Sequence, residues 1–398
     1  MGVKKNQRMF GPDAARIVAC WCVLSVHFFL NNGFYSEIVE GPRMVIMVLM
    51  RSSFMMCVPL FMVLTGYLMR NKKLEKRYYT KGIKTVAVYV LASVACIIAR
   101  LILDKGIDPA STWLGIFSFA GAPYSWYIEM YLGLFVMIPF LNILFHALPS
   151  QKAHRALIVT MLALTAIPQL FNSYNLLDPQ WWSFPASSAV YHRLLPQWWR
   201  MIYPITYYFI GAYIGEYKVK LNPATNRLLL ICSLLINGLY NYWRSRGVKF
   251  IWGDWADYGS MLILVPTVLT FLLLVNKDGD RRPAFYRKAV GVVSDLTLGV
   301  YLCSYIFDRV FYRMLLEDVP VMQDRLPYYF VVVPTVFVCS LGVSAAIEII
   351  YRLGEMLVKY LIRRFSKKQP PEAPAPETDV IPAENDSTQS CEKSPFHT

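Results

Sequence analysis

Runs of mostly apolar residues, each about as long as a bilayer is thick, recur from one end of the chain to the other. Hydrocarbon offers the backbone no hydrogen-bond partners, so such a chain folds as helices or as a closed barrel. A helical crossing takes about 20 apolar residues. A barrel would show short segments of alternating pattern, and these runs do not alternate. We place spans at 11–31, 45–69, 82–104, 124–146, 155–172, 200–217, 226–243, 258–276, 294–312 and 327–350. The expected fold is all-α: an integral membrane helical bundle of about ten transmembrane helices, over residues 1–365. The segment 366–398 is polar and rich in proline, cannot bury a core, and reads as a disordered cytoplasmic tail.

Charge supports this map. Only 17% of the 398 residues are charged, against about 25% in a soluble domain. The formal net charge of +14 does not point to nucleic acid, because the basic residues flank the spans and no nucleic-acid motif accompanies them. They concentrate on alternate loops: Lys72, Lys73, Lys76 and Arg77, then Lys152 and Arg155, then Lys218 and Lys220, then Arg287 and Lys288, then Arg352 and Lys359. By the positive-inside rule both termini are cytoplasmic. The basic lead into the first span shows no cleavage site of a signal peptide. The cysteines form no CxxC pair and no His/Cys cluster, so neither a disulfide nor a metal is expected.

The first span is unusual. It opens DAARIVACWCVLSVH, residues 13–27, with Asp13, Arg16 and His27 on one helix. Eleven residues at about 100° each leave Arg16 and His27 roughly 20° out of register, and about 1.5 Å of rise per residue puts them roughly 16 Å apart along the axis. Asp13 lies one turn before Arg16, close enough to pair with it. Ala19, Cys20 and Val23 lie between, mostly small, leaving room for a slender ligand along that face. Charge inside hydrocarbon costs roughly 2.5–3.5 kcal/mol per residue on insertion scales. Two readings follow. Either Arg16 snorkels to the interface and His27 is a hydrogen-bonded core residue, or the face is functional. In the second case Arg16 suits a phosphate-bearing donor and His27 suits a general base near neutral pH.

Other polar positions carry similar choices. Lys81 and Lys84 are one turn apart and either contact phosphates or flank the third span. Glu129, beside Trp126, either binds acceptor hydroxyls or meets water. Asp308 and Arg309 read as an interfacial pair, and Glu348 as a boundary charge. The loop 173–199 is the longest outer segment, and Trp181, Trp182, Tyr191, Trp198 and Trp199 in it read as an aromatic belt or as a platform for a sugar ring.

The spacing of Arg16 and His27, introduced by Asp13, resembles the signature of the acyltransferase type 3 family. In order along the chain, FMVLTGYLM (61–69) resembles its F-x-x-S-G-[FY]-L segment. SWYIEMYLGLFVMIPFLN (125–142) resembles its W-[FY]…Y…P-x-L segment. YYFIGAYIGE (207–216) resembles its Y-F-x-x-G-x-x-x-G helix, and VGVVSDLTLGVYLCSYIF (290–307) its G-x-x-S…G-I-Y-L-x-H segment. The resemblance implies a membrane-bound O-acyltransferase with about ten spans. Such a protein moves an acyl group, often acetyl from cytoplasmic acetyl-CoA, to a hydroxyl of a cell-surface polysaccharide or its lipid-linked precursor, in a bacterial plasma membrane. Arg16 and His27 would be the essential pair, with Asp13 orienting Arg16. Lys81 and Lys84 occupy the family's Arg-x-x-Arg position and, with Arg16, would hold the CoA phosphates, although lysine lacks the planar fork of arginine. Trp126, Glu129 and Tyr301 would meet the acceptor. Ser304 stands where many members carry histidine, and Thr65 replaces a serine. The rival readings are an exporter of a glycan or lipid-linked sugar and a structural or sensor membrane protein.

Overall fold

The computed structural model describes residues 8–104, 106, 108–276 and 282–366. Beyond Ser366 the expected tail lies outside the described residues. Fourteen α-helices follow in order among the described residues: α1 (Phe10–Asn31), α2 (Pro42–Phe54), α3 (Cys57–Met69), α4 (Lys76–Tyr79), α5 (Gly82–Leu103), α6 (Pro109–Leu114) and α7 (Trp126–Ala147). After these come α8 (Gln151–Leu164), α9 (Ala166–Phe171), α10 (Tyr203–Tyr217), α11 (Pro223–Ser245), α12 (Met261–Val275), α13 (Ala284–Asp318) and α14 (Tyr329–Ser366). No strand forms among the described residues, only the isolated bridges of Ile38 with Lys249 and Val39 with Arg246. Among the described residues, those up to Tyr351 form one compact unit and those from Arg352 onward belong to a second.

Eight helical segments are long and apolar enough to cross a membrane: Phe10–Asn31, Pro42–Met69, Lys76–Leu103, Trp126–Ala147, Gln151–Phe171, Asp254–Val275, Ala284–Asp318 and Met322–Arg364. The chain is an all-α membrane helical bundle. The expected sixth and seventh spans coincide with α10 and α11, which are not among the eight. Helix α10 has only 15 residues. Helix α11 buries Asn226, Asn237, Asn241 and Arg244 and is more polar than a typical crossing.

Helix α1 sits inside the bundle, packed on α3, α12 and α13. Small residues set these distances. A Cβ on Gly66 would lie 2.0 Å from the carbonyl oxygen of Tyr208, and one on Gly211 would lie 2.0 Å from that of Val63. Helices α3 and α10 therefore cross backbone to backbone, as small residues in membrane helices permit. Two segments singled out in the sequence, FMVLTGYLM and YYFIGAYIGE, meet at this crossing.

In the loop 173–199 one aromatic departs from both expectations. Trp181 is fully buried and, with Tyr191 and Trp255, encloses the guanidinium of Arg244 at 4.9, 5.0 and 3.5 Å from the ring centroids. Arg244 Nη1 also donates to the Ser173 carbonyl at 2.7 Å and to the Tyr240 hydroxyl at 3.0 Å. Cation–π contact in a desolvated cage explains why the tryptophan turned inward. Trp182, Trp198 and Trp199 remain exposed.

Candidate active site

The polar end of α1 is a network. Arg8, just before the helix, donates to Asp13 through Nε at 2.5 Å and Nη2 at 3.0 Å. It also reaches both oxygens of Asp295 at 2.8 Å and the Gly291 carbonyl at 2.7 Å. Hydrogen bonds donated to Asp13 and then to Asp295 hold the Arg8 guanidinium above the usual arginine pKa. Arg16 Nη1 lies 3.6 Å from Asp13, as the one-turn spacing allows. Its hydrogen bond, however, goes to Ser294 Oγ at 2.8 Å, and Ser294 donates onward to Asp13 at 2.8 Å. The main partner of Asp13 is thus Arg8, and Ser294 relays it to Arg16.

Arg16 lines a cavity of about 190 Å³ with Thr65, Thr85, Tyr131 and Thr297. His27 lines a smaller one of about 30 Å³ with Val23, Cys57, Trp126 and Tyr258. Such a volume admits about two waters. Phe61, Tyr127 and Tyr301 border both cavities and form a partition between them. The Tyr301 hydroxyl is fixed by the Tyr124 carbonyl.

This route corrects the expected one. Ala19 and Cys20 are fully buried, and Cys20 Sγ contacts the Thr297 carbonyl of α13 at 3.6 Å. The small residues of α1 serve close helix packing, so no ligand space runs over them. The space opens instead toward α3, α7 and α13.

The other candidate residues divide. Trp126 and Tyr301 stand with His27. Glu129 is exposed on the first turn of α7, where a carboxylate suits the helix dipole, and it lines neither cavity. Lys81 and Lys84 line a third cavity of about 150 Å³ with Asp295 and Glu348. It shares Thr85 and Leu298 with the Arg16 cavity. Lys84 pairs with Glu348 at 2.9 Å, so Glu348 is a helix-to-helix partner and not merely a boundary charge. Ser304 is buried and donates to the carbonyl of Tyr301 at 2.9 Å, away from both cavities. Among the described residues no group of three or more His, Cys, Asp or Glu is placed to hold a metal ion.

The sharpest correction concerns Asp308. It is buried, while Arg309 turns away to pair with Asp104. Adjacent helical residues point about 100° apart, so the two cannot share one partner. Asp308 Oδ2 lies 3.5 Å from His27 Nδ1 and accepts from the Tyr124 hydroxyl at 2.9 Å. The Tyr124 ring lies against that of His27, centroids 3.7 Å apart. Asn31 donates to the Tyr124 hydroxyl at 3.1 Å and to the His27 carbonyl at 2.8 Å. The sequence reading missed Arg8, Ser294 and Tyr124 as members of the site. The signal for Asp308 was present, since an acid within a span is a functional candidate by default.

A helical membrane bundle whose first helix sets an arginine in one internal cavity and a histidine in the next defines a membrane protein with a built internal site. The acyltransferase-domain family model matches residues 9–345, nearly the whole chain, and the chain belongs to that family, the type 3 acyltransferases. It is a multipass membrane acyltransferase. No curated protein and no solved structure matches it.

Proposed function

We propose that the chain is an O-acyltransferase that moves acetyl from cytoplasmic acetyl-CoA to a hydroxyl of a cell-surface polysaccharide or its lipid-linked precursor. The observation that carries this reading is the pair of cavities, one with Arg16 and one with His27, that share Phe61, Tyr127 and Tyr301 as lining. Ten spans, including α10 and α11, with both termini in the cytoplasm, put Arg16, Lys81 and Lys84 on the donor side. Arg16 and the two lysines then meet the CoA phosphates as charge-assisted donors. The pantetheine arm occupies the Arg16 cavity and presents its thioester past the partition. His27 takes the acceptor hydroxyl's proton while that oxygen attacks the carbonyl carbon; alternatively it carries the acyl group transiently. The carbon–sulfur bond breaks and the thiolate leaves with the electron pair. Trp126 offers a flat apolar face to a sugar ring, stacked as it is on Tyr258 at 5.6 Å. Lipid and a carbohydrate acceptor are the partners in this scheme.

The test uses membranes from cells expressing wild type or His27→Ala at matched levels, supplied with radiolabelled acetyl-CoA. Base-labile label in extracted glycans or lipid-linked sugars from wild type alone supports acyl transfer through His27. Equal label from both removes His27 from the chemistry. Transport of a glycan with no label incorporated favours the exporter.

A further inference from the structure

We infer that Asp308 is the positioning residue of His27, and that the two form a carboxylate–imidazole dyad with Tyr124 as its second support; the inference rests on the acyltransferase reading for its kinetic part only. A carboxylate buried within a membrane helix is costly unless something compensates it. Among the described residues Asp308 has no cationic partner other than His27. Its Oδ1 makes no hydrogen bond, and neither does His27 Nδ1, although that nitrogen stands 3.5 Å from Asp308 Oδ2. His27 Nδ1 is thus a possible donor with no hydrogen bond made, beside a carboxylate of which one oxygen, Oδ2, is 3.5 Å away and held by Tyr124 while the other, Oδ1, is unsatisfied. Catalytic hydrogen bonds are often long before substrate binds and tighten in the reacting complex.

The arrangement selects a tautomer. With a carboxylate beside Nδ1, the proton of neutral His27 belongs on Nδ1, and Nε2 is left as the base. As Nε2 takes the acceptor's proton, the imidazolium faces a full negative charge. It then returns the proton to the departing thiolate, and Asp308 stays ionised throughout. Tyr124 fixes both members at once, donating its hydroxyl to Asp308 and lying against the His27 ring. Asn31 holds Tyr124 in turn.

The experiment compares wild type with Asp308→Asn, Asp308→Glu and Tyr124→Phe in purified, detergent-solubilised full-length protein. Asp308→Asn should lower kcat about 100-fold, the scale of a misplaced general base, with KM for acetyl-CoA unchanged. Asp308→Glu should recover part of the loss. Tyr124→Phe keeps the ring and loses one hydrogen bond, so kcat should fall about tenfold. A readout independent of turnover is the ¹⁵N spectrum of the histidine-labelled protein, which has five histidines, with His27 assigned through His27→Ala. Wild type should show the Nδ1–H tautomer, and Asp308→Asn should lose that preference. Wild-type kcat in Asp308→Asn, or an Nε2–H tautomer in wild type, overturns the dyad. Should wild type transfer no acetyl while His27 still shows the Asp308-dependent tautomer, the function reading fails and the dyad stands. A variant that loses KM and kcat together, with no rescue by glutamate, marks Asp308 as merely structural.

Discussion

Asp13 and Arg16, one helical turn apart on α1, are joined through Ser294, which accepts from Arg16 and donates to Asp13, each at 2.8 Å. The arginine's aim is therefore set by a residue of α13. Ser294→Ala should raise KM for acetyl-CoA by about tenfold and leave kcat nearly unchanged, since a hydrogen bond to a charged group contributes about 1.5 kcal/mol or more. Steady-state kinetics over a range of acetyl-CoA concentrations reads the split directly. An effect on kcat alone would detach Arg16 from donor binding.

Arg8 should matter for stability more than for chemistry. Its removal leaves the buried Asp13 carboxylate with the Ser294 hydroxyl and with Arg16 at 3.6 Å. Arg8 is itself about half exposed, so solvent screens part of the pair's strength. Arg8→Ala should cost about 1–3 kcal/mol, seen as a lowered Tm in detergent. Unchanged Tm would show that water replaces the guanidinium without penalty.

The α3–α10 crossing gives a prediction whose sign is unusual. Gly→Ala inside a helix normally gains up to about 1 kcal/mol from propensity. At Gly66 and Gly211 the new methyl would meet a backbone carbonyl at 2.0 Å, and a backbone does not swing aside. Each substitution should destabilise by about 3 kcal/mol or more, whereas Gly342→Ala, with nothing within 4 Å, should be neutral or stabilising. Thermal unfolding of the three variants separates close packing from mere flexibility.

The partition predicts leakage. Phe61→Ala joins the two cavities and should raise hydrolysis of acetyl-CoA in the absence of acceptor, while transfer to acceptor falls. A thiol reagent that reports free CoA measures this. No increase in hydrolysis would mean that Tyr127 and Tyr301 alone keep water from the thioester.

Much of this was legible in the chain. The apolar runs located most of the helices within a few residues, although α13 and α14 run well beyond the expected spans 294–312 and 327–350 into polar sequence, and the order of motifs pointed to the family. What a linear reading hides is partner choice across the bundle. Asp308 beside Arg309 looks like a local pair, yet the 100° turn between neighbours sends one to His27 and the other to Asp104. Ala19 and Cys20 look like open space, because smallness in a sequence says nothing about whether another helix fills the gap. Trp181 looks like a surface aromatic until Arg244, some sixty residues on, is known to need a cage. Periodicity gives the face of a helix, and only tertiary contact says what that face meets.

On the proposed reading the protein draws a hydrophilic co-substrate into the membrane from one side and an acceptor from the other, and such an arrangement is in danger of becoming a pore. Three aromatic side chains from three helices, Phe61 on α3, Tyr127 on α7 and Tyr301 on α13, stand between its two cavities. On the proposed reading such a wall would hold ions back while the acyl group passes, so that acyl transfer and the membrane potential are kept apart.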